Sequence, residues 1–312
     1  MLKKIAFVFP GQGSQSLGML SELSSQFPVV NTVFEEASTV VGYDLWKLTQ
    51  EGPVDTLNKT EYTQPALLTA SIALWRIWEM EQGVEPILLA GHSLGEYSAL
   101  VCAKAITFSS AVKLVAARGR YMQAAVSEGE GAMAAIIGLS DEQVNEICLA
   151  AAQNEIVTSA NFNAPGQVVI AGNVGAIERA IELAKKAGSK LAKKIPVSVS
   201  SHCELMRPAA EYLAKDLNEI TLMSPQIPII HNIDVLTHPD EESIKKALIA
   251  QLYSSVRWVE IIEKMENSGI DTIVECGPGK VLAGLNKRIT HNAPTLPIYD
   301  SSTVIKALEE CR

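Results

Sequence analysis

The stretch from residue 87 to residue 105 leaves this chain little freedom in what it can fold into. Residues 87–90 form a short apolar run that reads as a buried strand, residues 96–105 read as a helix, and Gly91-His92-Ser93-Leu94-Gly95 joins them without a spacer. A strand that turns directly into a helix forces its central residue into a strained conformation. Side chains two positions to either side would collide, so glycine is needed at 91 and 95. The turn presents the Ser93 hydroxyl at the sheet edge above a helix amino terminus, and it aims the Leu94 N–H toward the place where an oxyanion would form. G-x-S-x-G also occurs as an ordinary turn. The strand before this one and the helix after it make Ser93 a candidate nucleophile.

Strands alternate with helices on both sides of this elbow. Residues 5–9 are apolar and stop at Pro10-Gly11, a helix is expected from Pro65 in its first turn to about residue 80, and another over 109–125. Residues 271–275 read as a strand, followed by the turn Gly277-Pro278-Gly279 and a helix over 281–288. That order implies an α/β protein with a mostly parallel sheet covered on both faces. The pattern changes at Ser127-Glu128-Gly129-Glu130-Gly131. From there a strand (132–138), a helix opened by Ser140 and Asp141, two strands (156–161 and 167–172), a helix (174–187) and a strand (190–197) give the order βαββαβ, the ferredoxin-like signature. The expected organisation is a discontinuous larger domain, residues 1–127 and 198–312, with a small domain inserted at 128–197.

The loop from Gly11 to Gly18 has the spacing G-x-G-x-x-x-x-G with no GK[ST], which is neither a dinucleotide fingerprint nor a P-loop. The net charge of −9 argues against a general nucleic-acid binder, although Lys185, Lys186, Lys190, Lys193 and Lys194 lie within ten residues that contain no acid. That run reads either as a solvated helix end and strand start or as a docking patch for an acidic partner, and Lys280, Lys287 and Arg288 form a second basic group. No apolar stretch is long enough to span a bilayer, so no membrane association is expected. Five dispersed cysteines without a CxxC pair suggest neither a disulfide framework nor a metal site and point to a reducing, cytoplasmic location.

A serine hydroxyl needs a base, and histidine is the usual one. His92 adjoins Ser93 on the elbow and is poorly placed for that proton. Residue chemistry alone does not choose among His202, His231, His238 and His291, any of which could be an ordinary surface or core histidine. Arg118 likewise reads as a helix-surface residue beside Arg120.

Seven segments taken together change the position. Phe9-Pro10-Gly11-Gln12-Gly13-Ser14-Gln15, Thr63-Gln64-Pro65-Ala66-Leu67, the 91–95 elbow, Ala117-Arg118-Gly119, Ser201-His202-Cys203, Gln251-Leu252-Tyr253 and Glu275-Cys276-Gly277-Pro278-Gly279 occur in order along the chain. In this the chain resembles, almost end to end, the malonyl-CoA:acyl carrier protein transacylase family of bacterial fatty acid synthesis. The resemblance implies a hydrolase-like α/β fold with a ferredoxin-like insertion, in agreement with the division above. It also implies Ser93 as the acylated nucleophile, His202 as its base and the backbone carbonyl of Gln251 as the group that orients His202. Backbone N–H groups of Gln12 and Leu94 would form the oxyanion hole. Arg118 would grip the malonyl carboxylate, and Gln64, Asn161 and Asn163 would line the cleft. Two positions depart from the family pattern: Ser200, where proline is frequent, and Ser254-Ser255, where Asn-Pro is common.

The reaction so implied is malonyl transfer from malonyl-CoA to the phosphopantetheine thiol of acyl carrier protein through a malonyl-serine ester, with ping-pong kinetics and no cofactor or metal beyond those substrates. The length of the chain suits a free-standing monomer of a dissociated synthase. A serine thioesterase or hydrolase would share the elbow, the base and the oxyanion hole. An acyltransferase with another acyl preference, or a binding protein that keeps the fold, would differ from it in the outcome at the ester.

Overall fold

The computed structural model describes residues 3–197 and 199–312. Ser198, the expected domain boundary, and the first two residues lie outside the described residues. The described strands are β1 (Ile5–Phe9), β2 (Leu88–Gly91), β3 (Gly131–Ile137), β4 (Val157–Ala164), β5 (Gln167–Asn173), β6 (Leu191–Lys194), β7 (Ile229–Ile230), β8 (Thr272–Cys276) and β9 (Thr295–Ile298). They form two sheets. One is parallel, in the order β7-β2-β1-β8-β9. The other is antiparallel, in the order β4-β5-β3-β6.

The strands β1, β2 and β8 at the centre of the parallel sheet are buried at every position and mostly apolar, as expected of a sheet covered on both faces. In β1 the period of two divides the core: Ile5, Phe7 and Phe9 join one cluster, while Ala6 and Val8 join the other, which includes Trp258 and Ile261. On the first face Phe7 meets Trp75 and Trp78 edge-on, with ring centroids 5.2 and 5.1 Å apart. Those tryptophans belong to the helix Thr60–Met80. Its start corrects the expectation for Pro65, which lies in the second turn rather than the first. A proline there leaves the Glu61 carbonyl without its helical partner, but the helix is buried over nearly its whole length, and that packing outweighs the lost hydrogen bond.

The antiparallel sheet has the element order expected for residues 128–197, with helices Asp141–Ala152 and Val174–Lys186 packed on one face through Ala134, Ile136, Val168 and Ile170. Its last strand ends at Lys194 instead of 197. Pro196 has no N–H to continue the ladder. The opposite face of this sheet, with Met133 and Val169, turns toward Ser93 and lines a cleft. β4 is also tied to the chain beyond Gln251: Val256 N–H donates to the Ala160 carbonyl (2.9 Å), and Phe162 N–H to the Val256 carbonyl (3.0 Å). The cleft therefore lies where the carboxyl end of β2 faces the small sheet.

Candidate active site

Ser93 sits at φ +51°, the left-handed value that a tight strand-to-helix turn demands. The flanking glycines are required sterically. A Cβ on Gly91 would lie 1.8 Å from the Gly95 carbonyl carbon, and one on Gly95 would lie 2.0 Å from the Phe9 carbonyl oxygen. Both obstacles are backbone and cannot rotate away. Gly91→Ala is therefore expected to cost about 3 kcal/mol or more of stability. A thermal melt checks this; a variant melting within ~2 °C of the parent would show that the elbow relaxes.

The structure brings His202 to Ser93. Its Nε2 lies 2.8 Å from Ser93 Oγ, and its Nδ1 lies 2.7 Å from the Gln251 backbone carbonyl. The carbonyl only accepts, so Nδ1 carries the hydrogen and Nε2 presents its lone pair to the hydroxyl. The loop holds the ring through a second anchor, His202 N–H to the Leu252 carbonyl at 3.0 Å. Burial first, and the neighbouring Arg118 charge second, push the imidazole down from 6.5 to about 3. It is neutral, and able to accept a proton, at any ordinary pH.

Arg118 is only 1% exposed, on the inner face of the helix Phe108–Ala124. The next residue explains how it reaches the site. A Cβ on Gly119 would lie 2.6 Å from Glu61 Cα, so glycine lets this helix press against the start of Thr60–Met80. The guanidinium donates from Nη1 to Gln64 Oε1 (2.8 Å), and from Nη2 to Gln251 Oε1 (2.9 Å) and Ser93 Oγ (3.2 Å). All three acceptors are neutral. Among the described residues no carboxylate forms an ion pair with it, and its buried Nε has no partner. A buried cation whose hydrogen bonds go only to neutral oxygens, with the Tyr97 ring 5.4 Å from its Cζ, is costly unless an anion completes the site.

The remaining expected residues divide in their contacts. Gln12, Gln64, Leu94, Asn161 and Asn163 all line the cleft, which encloses about 190 Å³ and is walled on its apolar side by Met122, Met133, Val169 and Ile195. Neither the Gln12 nor the Leu94 amide hydrogen is engaged among the described residues, which leaves both available to an oxyanion. Asn163 Oδ1 lies 2.8 Å from His92 Nε2 and so meets the elbow histidine rather than Ser93. Three groups escaped the sequence reading. The Gln251 side chain bonds Ser93, Arg118 and Glu96. Asn232 accepts from Ser93 N–H (2.7 Å) and donates to the Gly91 carbonyl (2.6 Å). The buried Glu96 receives the Gln251 amide and the Asn232 backbone. A lone acid in the otherwise uncharged helix Gly95–Cys102 was the available signal.

The other histidines go elsewhere. His231 Nδ1 pairs with Glu96 at 2.7 Å, His238 with Asp234 at 2.8 Å, and His291 is exposed. Cys203 is no rival nucleophile: burial pushes its thiol up to about 12, and Sγ donates to the Ser200 carbonyl. Ser200 and Ser255, at the two departures from the family pattern, bond backbone carbonyls of the small sheet: Ser200 Oγ to Ala132 and Gly172 (both 3.3 Å), Ser255 Oγ to Ser159 (2.6 Å). They thus brace the loops that carry His202 and follow Gln251. In the lysine run, Lys185 and Lys194 are paired with Glu182 and Glu178.

The chain is similar to known proteins over nearly its whole length. A family model described as the acyl transferase domain matches residues 6–303. The chain is 52% identical over 308 residues to a malonyl CoA-acyl carrier protein transacylase of Escherichia coli (strain K12), covering 99% of this chain and all of that one. It is 43% identical over 309 residues to the Bacillus subtilis (strain 168) protein of the same name, covering 99% and 97%. The solved malonyl CoA-acyl carrier protein transacylase of Coxiella burnetii superposes with a TM-score of 0.98 at 51% identity, covering 100% and 98% of the two chains. A type II polyketide synthase acyl-carrier protein in complex with its malonyl-transacylase contains a chain that matches with a TM-score of 0.97 at 52% identity, covering 98% and 99%.

Proposed function

We propose that this chain, which belongs to the acyl transferase domain family, transfers the malonyl group of malonyl-CoA to the phosphopantetheine thiol of acyl carrier protein and so supplies fatty acid synthesis. The observation that carries the choice of acyl group is Arg118, a buried guanidinium 3.2 Å from the nucleophile with no carboxylate of its own. A malonyl group brings one carboxylate and one thioester, and the guanidinium fork suits the first while Ser93 attacks the second.

In this reading the acyl carboxylate meets Arg118, and His202 Nε2 takes the Ser93 proton as Oγ attacks the thioester carbon. The Gln12 and Leu94 amides hold the oxyanion. Coenzyme A leaves as the thiol, protonated by His202, and a malonyl-serine ester remains. The carrier thiol then gives its proton to His202, attacks the ester carbonyl and returns Ser93 to the free hydroxyl. Gln251 steadies His202 through its backbone carbonyl. Gln64 holds Arg118, and Asn161 and Asn163 shape the cleft wall. The chain's own groups supply every proton transfer, so the reading needs no metal or organic cofactor. We read the parallel sheet and its helices as a hydrolase-like domain, the small sheet as a ferredoxin-like insertion at 128–197, and the protein as a cytoplasmic monomer.

The test is a two-step chase. Malonyl-CoA alone should load one malonyl group on Ser93, seen by intact mass. Adding holo-acyl carrier protein should discharge it to malonyl carrier protein much faster than water releases malonate. Malonate release at the same rate with or without carrier protein would identify a hydrolase instead.

A pH dependence follows from the depressed imidazole. Because kcat/KM reports the free protein, its profile for malonyl-CoA should lack an acid limb centred near 6.5. The stability contributed by the neutral imidazole is present above pH 6.5 and is lost as pH falls from there toward 3, since the unfolded chain takes up the proton first. A rate profile with an inflection near 6.5 that disappears in a His202 variant would contradict this.

A further inference from the structure

Glu96 is fully buried and does not line the cleft, yet it stands behind both groups that would meet the substrate. Its carboxylate accepts from His231 Nδ1 (2.7 Å), Asn232 N–H (3.0 Å) and Gln251 Nε2 (2.9 Å). The same Gln251 nitrogen donates to the Ser93 carbonyl (3.0 Å), and Gln251 Oε1 accepts from Arg118 Nη2 (2.9 Å).

The two ends of a side-chain amide are nearly the same shape, so packing alone does not decide which end faces which neighbour. Flipped, Gln251 would set its N–H₂ against the guanidinium donors and its oxygen against the Ser93 carbonyl. Both Glu96 oxygens accept from N–H groups here, so Glu96 takes an N–H from Gln251 and settles the orientation. We propose that Glu96 is a positioning residue that locks the Gln251 side-chain amide with its oxygen on Arg118, and thereby sets the preference for an acyl group bearing a carboxylate. The inference rests on the malonyl-transfer reading of the same site.

The readout is the ratio of kcat/KM for malonyl-CoA to that for acetyl-CoA, because partial misfolding lowers both by the same factor. In Glu96→Leu, which cannot accept, the ratio should fall about tenfold or more, the usual consequence of losing a hydrogen bond to a charged group. Glu96→Gln keeps an oxygen for Gln251, since His231 can present Nδ1 as donor or acceptor, and should restore the ratio to within about threefold. Gln251→Met removes the amide but leaves the backbone carbonyl that holds His202, and should reproduce the Glu96→Leu ratio even if that variant fails to fold. An unchanged ratio in Glu96→Leu, or in Gln251→Met where the former does not fold, overturns the proposal. So does a Glu96→Gln ratio as low as that of Glu96→Leu, which would place the effect on charge rather than on amide orientation. If the parent protein forms no malonyl-serine ester, the functional reading itself fails; if the ester forms and the ratios do not move, only the role of Glu96 falls.

Discussion

Ser93→Ala, mixed with malonyl-CoA, should remain at its unmodified mass, and its transfer rate should fall by about 10⁶-fold, the scale seen when a serine nucleophile acting with a histidine is removed. The expectation comes from geometry: Ser93 Oγ is the hydroxyl that His202 Nε2 meets at 2.8 Å, and the backbone amides of Gln12 and Leu94 cannot form a covalent bond in its place. His202→Ala should fall almost as far, because an uncharged serine hydroxyl is a weak nucleophile without the base. The double variant should be little worse than either single one, since the two side chains act in the same step. Two features make the substitution of Ser93 conservative for the fold. The strain at φ +51° belongs to the backbone, and Asn232 and Gln251 hold the Ser93 N–H and carbonyl, not its side chain. A malonyl adduct that persists in Ser93→Ala would place the nucleophile elsewhere and overturn the mechanism.

The site was legible in sequence where its causes are local. The elbow needs a strand, two glycines and a helix within a few residues, and each is visible in order, so the placement of Ser93 on a strained turn is directly readable. His202 could not, because residue chemistry left it equal to His231, His238 and His291. What distinguishes it is a loop that lines the cleft and is anchored to Leu252, a contact between segments distant in the chain. Arg118 looked like a surface residue for the same reason. The inward face of its helix is set by the close approach at Gly119, which becomes visible only when Glu61 is placed against it. The order of strands and helices in the small sheet was readable because apolar runs and helix starts alternate cleanly there. The last strand ends at Lys194 because Pro196, two residues on, has no N–H to continue the ladder. Glu96 and Asn232 are not legible in sequence, because they contact the site from behind the reactive groups and leave no periodic trace. The resemblance supplied His202, Gln251 and Arg118 where local physics could not.

Arg118→Met should lower kcat/KM for malonyl-CoA by about 10²–10³-fold, the range for removing one partner of a buried, hydrogen-bonded charge pair, while changing that for acetyl-CoA by no more than a few-fold. Methionine keeps much of the length and apolar bulk of the side chain, so the helix Phe108–Ala124 can still pack against Thr60–Met80 and the loss can be assigned to the missing guanidinium. The asymmetry between the substrates is the decisive part. An acetyl group has nothing to offer Arg118, and in the free protein Nη2 already donates to Ser93 Oγ, so the arginine gives that substrate no help. A malonyl group supplies the carboxylate that the buried cation lacks, and the gain appears only when both are present. Arg118→Lys should fall between the two: the charge survives, but one ammonium cannot hold Gln64 Oε1, Gln251 Oε1 and a bidentate carboxylate together. Parallel kinetics with malonyl-CoA and acetyl-CoA on the three proteins decide the matter. Equal losses for the two substrates in Arg118→Met would mean that the guanidinium supports the fold of the cleft rather than the choice of acyl group.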